Sequence, residues 1–241
     1  MEAMIFAAGL GTRLLGETAD TPKALVDVGG KPLLQRAIEK LSAAGVSKIV
    51  VNVHHFAQQV IDFIESHKWE VPVLISNESG QLLETGGGLK KAGPLFSGKA
   101  PILIYNVDII SSFDLQQLKS VHLEAGNLAT LVVSGRKSQR YFKFDANMQL
   151  AGWINKRSGE TKISRPEVYD RAKELAFSGI HMVQPEILNY MPPQDRFSII
   201  EVYLELAKTQ KIKGFLDTSE LWMDVGKPDE LAAARKLFSG Q

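Results

Sequence analysis

The chain has 241 residues, 44% of them hydrophobic and 23% charged, enough to bury roughly three quarters of its unfolded surface, so disorder is not the default. Lys+Arg number 28 against 27 Asp+Glu, a formal charge of +1, so nothing implies a nucleic-acid partner and any phosphate chemistry must be local. Zero cysteines exclude disulfides and thiolate metal sites. Apolar runs such as Ile102 to Tyr105 fall far short of the roughly 20 residues of a membrane span, and Met1-Glu2-Ala3-Met4 lacks a secretion signal's basic start, so a cytoplasmic protein without membrane contact is expected.

From Met4 to about Asp108, β-rich runs alternate with amphipathic stretches, the rhythm of a mostly parallel sheet. Met4 to Ala8 reads as a buried first strand, and Gly9 to Thr21, lacking apolar periodicity, as a long loop. Pro32 opens a helix whose Leu34, Ala37, Ile38, Leu41 and Ala44 share one face, with Gly45 at its C-cap. Lys48 to Val53 is the next strand, Phe56 to Ile64 a helix, Val71 to Ile75 a strand, and Pro101 to Asn106 a strand buried on both faces. A helix follows Asp114 to about Glu124, then a strand from Leu128 to Ser134. Gly135 to Ser178 is polar and hairpin-like, with Tyr141 to Phe144 and Leu150 to Ile154 pairing across Asp145-Ala146-Asn147. Ile199 to Lys208 is helical, Lys213 to Leu216 and Leu221 to Val225 are short strands, and Pro228 to Phe238 is a last helix with Asp229 and Glu230 in its first turn. The pattern predicts one α/β domain over residues 1–241 whose later half, from residue 135, adds an antiparallel lobe over the sheet.

Five features carry chemistry. Gly9-Leu10-Gly11-Thr12-Arg13 follows the first strand, and Pro22-Lys23 comes soon after: glycines that let backbone N–H groups approach an anion, with two cations for a polyphosphate. It is not the dinucleotide fingerprint, since Leu14 stands where the third glycine belongs, and a turn with solvated basic residues is the bland alternative. Asn106-Val107-Asp108 and Trp222-Met223-Asp224 each place a carboxylate at the end of an apolar strand, where open α/β sheets bind ligands. Were these carboxylates to converge, they would form a hard oxygen site suited to Mg²⁺; each alone has the blander alternative of capping the following helix or turn. Glu84-Thr85-Gly86-Gly87-Gly88 offers backbone that lies flat against a base or sugar, or a plain loop-to-helix entry. Phe177-Ser178-Gly179-Ile180 is a small-residue gap for a ligand ring, or a β-bulge.

Taken together and in order, Ala7 to Arg13, Thr21 to Lys23, Leu83 to Gly87, Asn106 to Asp108, Phe177 to Ile180 and Trp222 to Gly226 resemble the sugar-1-phosphate nucleotidyltransferases, most of all the N-acetylmuramate-1-phosphate uridylyltransferases and the mannose-1-phosphate guanylyltransferases. The resemblance implies a Rossmann-like mixed sheet flanked by helices, with residues 1–134 binding nucleotide and 135–241 forming a sugar-binding lobe. It implies transfer of a nucleoside monophosphate, from UTP rather than GTP by a slight preference, to a hexose 1-phosphate with release of pyrophosphate. Within it Arg13, Lys23, Asp108 and Asp224 are catalytic, the two aspartates holding Mg²⁺. Ala8, Gly9, Leu10, Gly11, Thr12 and Gly86 bind the nucleotide, and Glu84, Asn106, Lys156 and Gly179 lie near the sugar, with Arg140 a weaker candidate. The first loop departs from the family's Arg-Leu-x-Pro by continuing Leu14-Leu15-Gly16. Two rivals stay open: a metal-dependent glycosyltransferase, against which Asn106 stands where an Asp-x-Asp motif would begin, and a catalytically silent nucleotide-sugar sensor. A monomer or homodimer is expected.

Overall fold

The first strand, β1 (Glu2–Phe6), sits between two neighbours that run parallel to it. The structure, a computed structural model, describes residues 1–14 and 16–239, and of Arg13 the backbone alone. After β1 come the short ribbon β2 (Asp27–Val28) and β3 (Lys31–Pro32), then α1 (Leu33–Ala43), β4 (Ile49–Val53), α2 (Ala57–Glu65), β5 (Val73–Asn77), α3 (Glu84–Ala92), β6 (Ile102–Asn106) and β7 (Ile109–Ser111). The chain continues through α4 (Leu115–Glu124), β8 (Ala129–Ser134), β9 (Arg140–Phe144), β10 (Leu150–Asn155), β11 (Thr161–Ile163), α5 (Pro166–Tyr169), β12 (Lys173–Val183), α6 (Ile199–Leu206), β13 (Ile212–Leu216), β14 (Trp222–Asp224) and α7 (Pro228–Phe238).

The main sheet runs β11-β10-β9-β12-β6-β1-β4-β5, with β8 against β12 and β13 parallel to β8. β4 and β5 extend to one side of β1, and the chain then crosses back to lay β6 on the other side. The reversal leaves a crevice at the carboxyl ends of β1 and β6. The expected antiparallel lobe is present, but it joins the sheet edge-on through the long strand β12, not as a layer over it.

The central strands are apolar on both faces because each face is covered. Ala3, Ile5, Val51, Leu103 and Tyr105 pack with α1, α4 and α7, whereas Met4, Val50, Ile102 and Ile104 pack with α3 and α6. Local chemistry sets the ends of the helices. Gly45 takes φ +69° just past α1, and the Asp114 carboxylate accepts from the N–H groups of Gln116 (2.8 Å) and Gln117 (3.2 Å) at the start of α4. β1 ends two residues earlier than its apolar run suggests, because the Ala7 N–H leaves the ladder to bond the side chain of Asn52 at 2.8 Å. No helix among the described residues is long and apolar enough to cross a membrane.

Candidate active site at the carboxyl edge of the sheet

A cleft of about 390 Å³ opens where β1 and β6 end. Phe6 of β1 and the Ala7, Ala8 and Gly9 that follow it line the cleft, as do Asn106 of β6 with Val107 and Asp108 just beyond it and Asn52 of β4, with Lys23, Leu82, Glu84, Thr85 and Ser198 completing the wall.

Asp108 and Asp224, 116 positions apart, are brought together by a small ribbon. β14 pairs antiparallel with β7, setting Asp224 opposite Ile109, and the Val225 N–H bonds the Asp108 carbonyl at 3.0 Å. The Tyr105 hydroxyl donates to the Ile109 carbonyl (2.8 Å) and braces the turn from the other side. The two carboxyl groups lie within interaction range of one another, and Lys23 donates to Asp108. With 11% and 13% of their side chains exposed, Lys23 and Asp108 are largely out of water. Burial above all pushes the Asp108 carboxyl above its ordinary range; the Lys23 ammonium opposes this and the Asp224 charge adds to it. Asp224 also accepts from the Gly226 N–H at 3.1 Å, so the turn-capping alternative and convergence on Asp108 are both realised in one side chain.

Around this cluster the expected residues divide. Ala8, Gly9, Glu84 and Asn106 line the cleft. Gly179, at φ +75°, lies against Asn106, where an added Cβ would stand 2.9 Å from the amide nitrogen; the register of β12 on β8 shifts here, so the bulge alternative also holds. Leu10, Gly11 and Thr12 are not among the lining residues. Their loop folds on itself, the Thr18 hydroxyl donating to the carbonyls of Gly11 (3.1 Å) and Leu14 (3.0 Å). The side chain of Arg13 lies outside the described residues.

Two further expected residues are not among those lining the cleft. Gly86 does not face the cleft: it is buried inside α3, its N–H bonds the Phe197 carbonyl at 2.9 Å, and an added Cβ would meet the Phe197 ring at 2.4 Å. A Cβ on Gly87 would meet the Asp195 carbonyl at 1.9 Å, so the glycine run admits the chain's own backbone instead of a ligand face. Lys156 is exposed and paired with Glu174 at 2.7 Å, five residues before Gly179 and so roughly 16 Å away along an extended strand; the structure does not bring it to the cleft. Arg140 is exposed at the start of β9.

Sequence reasoning missed the support beneath the first loop. Asn52, a polar residue inside an otherwise apolar strand, was the legible signal. Its side chain accepts from Ala7 N–H and donates to Glu78 Oε1, both at 2.8 Å. Glu78 is 1% exposed and its Oε2 has no hydrogen-bond partner among the described residues. Burial pushes its carboxyl above the ordinary range, and the Asn52 hydrogen bond only partly offsets this. The folded state therefore holds the Glu78 proton more tightly than the unfolded chain, and this contribution to stability is lost as pH rises through the raised value. Glu78→Gln keeps an acceptor for Asn52 without the charge. The variant is expected to gain stability relative to the parent between acidic and mildly basic pH, and urea-denaturation curves that stay parallel across that range would disprove the assignment.

At the far end of the chain, Arg235 on α7 clasps both Glu17 oxygens (2.7 and 2.8 Å) and donates to the Asp27 carbonyl, tying the last helix to the first loop.

Residues 2–239 match the family model described as nucleotidyl transferase, and the chain belongs to that family. It is 35% identical to the N-acetylmuramate alpha-1-phosphate uridylyltransferase of Caulobacter vibrioides over 98% of this chain and 96% of that protein. It is 28% identical to a mannose-1-phosphate guanyltransferase of Aspergillus oryzae, covering 99% of this chain but 64% of that longer one. Among solved structures, HddC from Yersinia pseudotuberculosis superposes with a TM-score of 0.79 at 24% identity, covering 98% of this chain and 99% of that one. A UDP-glucose pyrophosphorylase from Acinetobacter baumannii superposes with 0.80 at 16% identity, covering 98% and 92%; at these identities the two structures speak for the fold.

Proposed function

We propose that this chain transfers a nucleoside monophosphate from UTP or GTP to a hexose 1-phosphate, releasing pyrophosphate. The observation that carries the reading is the meeting of Asp224 with Lys23 and Asp108, which line a cleft at the ends of β1 and β6. The two carboxylates are hard oxygen donors, partly desolvated and mutually repelling, and a cation of the Mg²⁺ kind fits them. Bound there, Mg²⁺ would neutralise the charge of the triphosphate and of the reacting phosphoryl oxygens.

A sugar 1-phosphate needs no general base, because with a second pKa of about 6 it is mostly a dianionic nucleophile at neutral pH. The protein's task is to hold two anions in line and to offset the charge that develops between them. In this reading Lys23 meets the reacting phosphates and Arg13 the triphosphate, while the backbone of Ala8 and Gly9, set by Asn52, supports the nucleoside. Asn106, with Gly179 from the strands after residue 134, faces the sugar, while the rest of the cleft within residues 1–134 serves the nucleotide. UTP is favoured over GTP because the 35% identical relative is named a uridylyltransferase. The test is a matrix of four nucleoside triphosphates against several sugar 1-phosphates, with pyrophosphate detected. Magnesium-dependent pyrophosphate release is expected with UTP or GTP and one hexose 1-phosphate; tight binding without turnover throughout would make the chain a sensor and reject the reading.

A further inference from the structure

Resting on that reading, we infer that Arg136 is a positioning residue that locks the strand carrying Asp224 to the bulge presenting Gly179, so that the carboxylate pair and the sugar side of the cleft keep one fixed separation. Arg136 follows β8 and lies outside the nucleotide loop and the carboxylate pair. Its guanidinium stacks on the Trp222 ring, 3.7 Å from the centroid, and its Nη2 donates to the Phe177 carbonyl. The Trp222 indole N–H donates to the next carbonyl, that of Ser178, at 2.9 Å. One stacked pair thus grips two successive peptide groups at the point where β12 loses its register with β8, and Gly179, the residue after them, rests on the cleft residue Asn106.

Trp222 and Asp224 stand two residues apart on β14 and so share a face, which puts the stack on the side of the strand that bears the Asp224 carboxylate. The charges of Asp224 and Asp217 both act on Arg136, in keeping with that placement. The grip also has a cost: Nη1 of Arg136 is buried with no hydrogen-bond partner among the described residues. Lysine cannot replace this arrangement, because it keeps the charge but lacks both the planar stacking surface and the fork.

The test compares Arg136→Lys and Arg136→Met with the parent by Mn²⁺ titration of the nucleotide-free protein followed by electron paramagnetic resonance, and by steady-state kinetics. Both variants are expected to bind Mn²⁺ about tenfold more weakly, as loss of a supporting contact behind a metal ligand does. Both are expected to raise KM for the sugar 1-phosphate about tenfold and to leave KM for the nucleotide within about twofold. Loss of positive charge alone would tighten Mn²⁺ binding, so tighter binding in Arg136→Met overturns the proposal. Parental behaviour of Arg136→Lys overturns it as well, and so does an equal shift of both KM values. Trp222→Phe keeps a ring under the guanidinium but removes the N–H to Ser178. It is expected to move the same two quantities in the same direction, and it decides the matter if the Arg136 variants fail to fold; no change in either quantity there overturns the proposal. A parent that binds Mn²⁺ but turns over no sugar phosphate rejects the functional reading, while the Mn²⁺ arm still decides on the brace.

Discussion

Asp108→Asn and Asp224→Asn are each expected to lower turnover about a thousandfold or more while the protein folds normally. Each substitution is isosteric and leaves the ribbon of β7 and β14 intact, since that ribbon is held by backbone pairing and by the Val225 N–H on the Asp108 carbonyl. What is lost is one of two anionic oxygen donors at the point where the phosphates would meet. Stability is expected to respond differently from activity. The pair is a buried like-charge contact, and burial together with the Asp224 charge raises the Asp108 carboxyl, so removing one charge relieves repulsion. Melting temperature in metal-free buffer should therefore not fall for Asp224→Asn, a separation of stability from activity typical of sites that hold charge for function; Asp108→Asn also removes the buried counter-charge of Lys23 and is expected to lose some stability. The check is a melting curve with and without Mg²⁺ beside a pyrophosphate-release assay. Near-parental magnesium-dependent turnover in both variants would remove these aspartates from the mechanism.

Repeating local patterns made much of the fold legible. The amphipathic face of α1, the Gly45 stop, the Asp114 cap and the hairpin across residues 145–147 follow from side-chain periodicity and turn chemistry within a few residues of one another. The Asp145 side chain accepts from the N–H groups of Asn147 and Gln149, both at 2.9 Å, as its residue type in that turn suggests. What local pattern does not encode is which strand lies beside which. That β12 bridges the parallel and antiparallel halves is a long-range choice, and so a lobe expected over the sheet turned out to extend it. The site divides along the same line. Asp108 and Asp224 were readable because each ends an apolar strand, whereas the glycine run misled because Gly86 and Gly87 are small for the sake of Phe197 and Asp195, more than 100 residues downstream. Arg136 and Glu78 carried no signal for a similar reason: an arginine in a polar loop and a glutamate after a strand look solvated until the fold seats the one on Trp222 and buries the other.

Lys23→Met is expected to lose about a thousandfold in turnover and, unlike Asp224→Asn, to lose stability as well. Lys23 is the cation on a largely buried pair of carboxyl groups, so its removal leaves Asp108 and Asp224 facing each other with less compensation. Breaking a buried ion pair on one side costs about 3 kcal/mol. The pH dependence follows from the direction of the Asp108 shift. Lys23 holds that carboxyl down against burial, so without it the folded-state value climbs further, and the proton becomes more tightly bound in the folded than in the unfolded chain. The variant's stability should therefore be nearest the parent's at acidic pH, where Asp108 is protonated in both, and should fall away as pH rises through the raised value. Adding MgCl₂ at neutral pH is expected to recover part of the lost stability, since a ligand that binds the folded state alone stabilises it by mass action. Turnover is not expected to return with it, because the ammonium group that would meet the reacting phosphates is still missing. Urea denaturation from mildly acidic to mildly basic pH, with and without Mg²⁺, separates the two roles: a variant whose stability deficit is independent of both pH and magnesium would show that Lys23 does not serve as the counter-charge of this carboxylate pair.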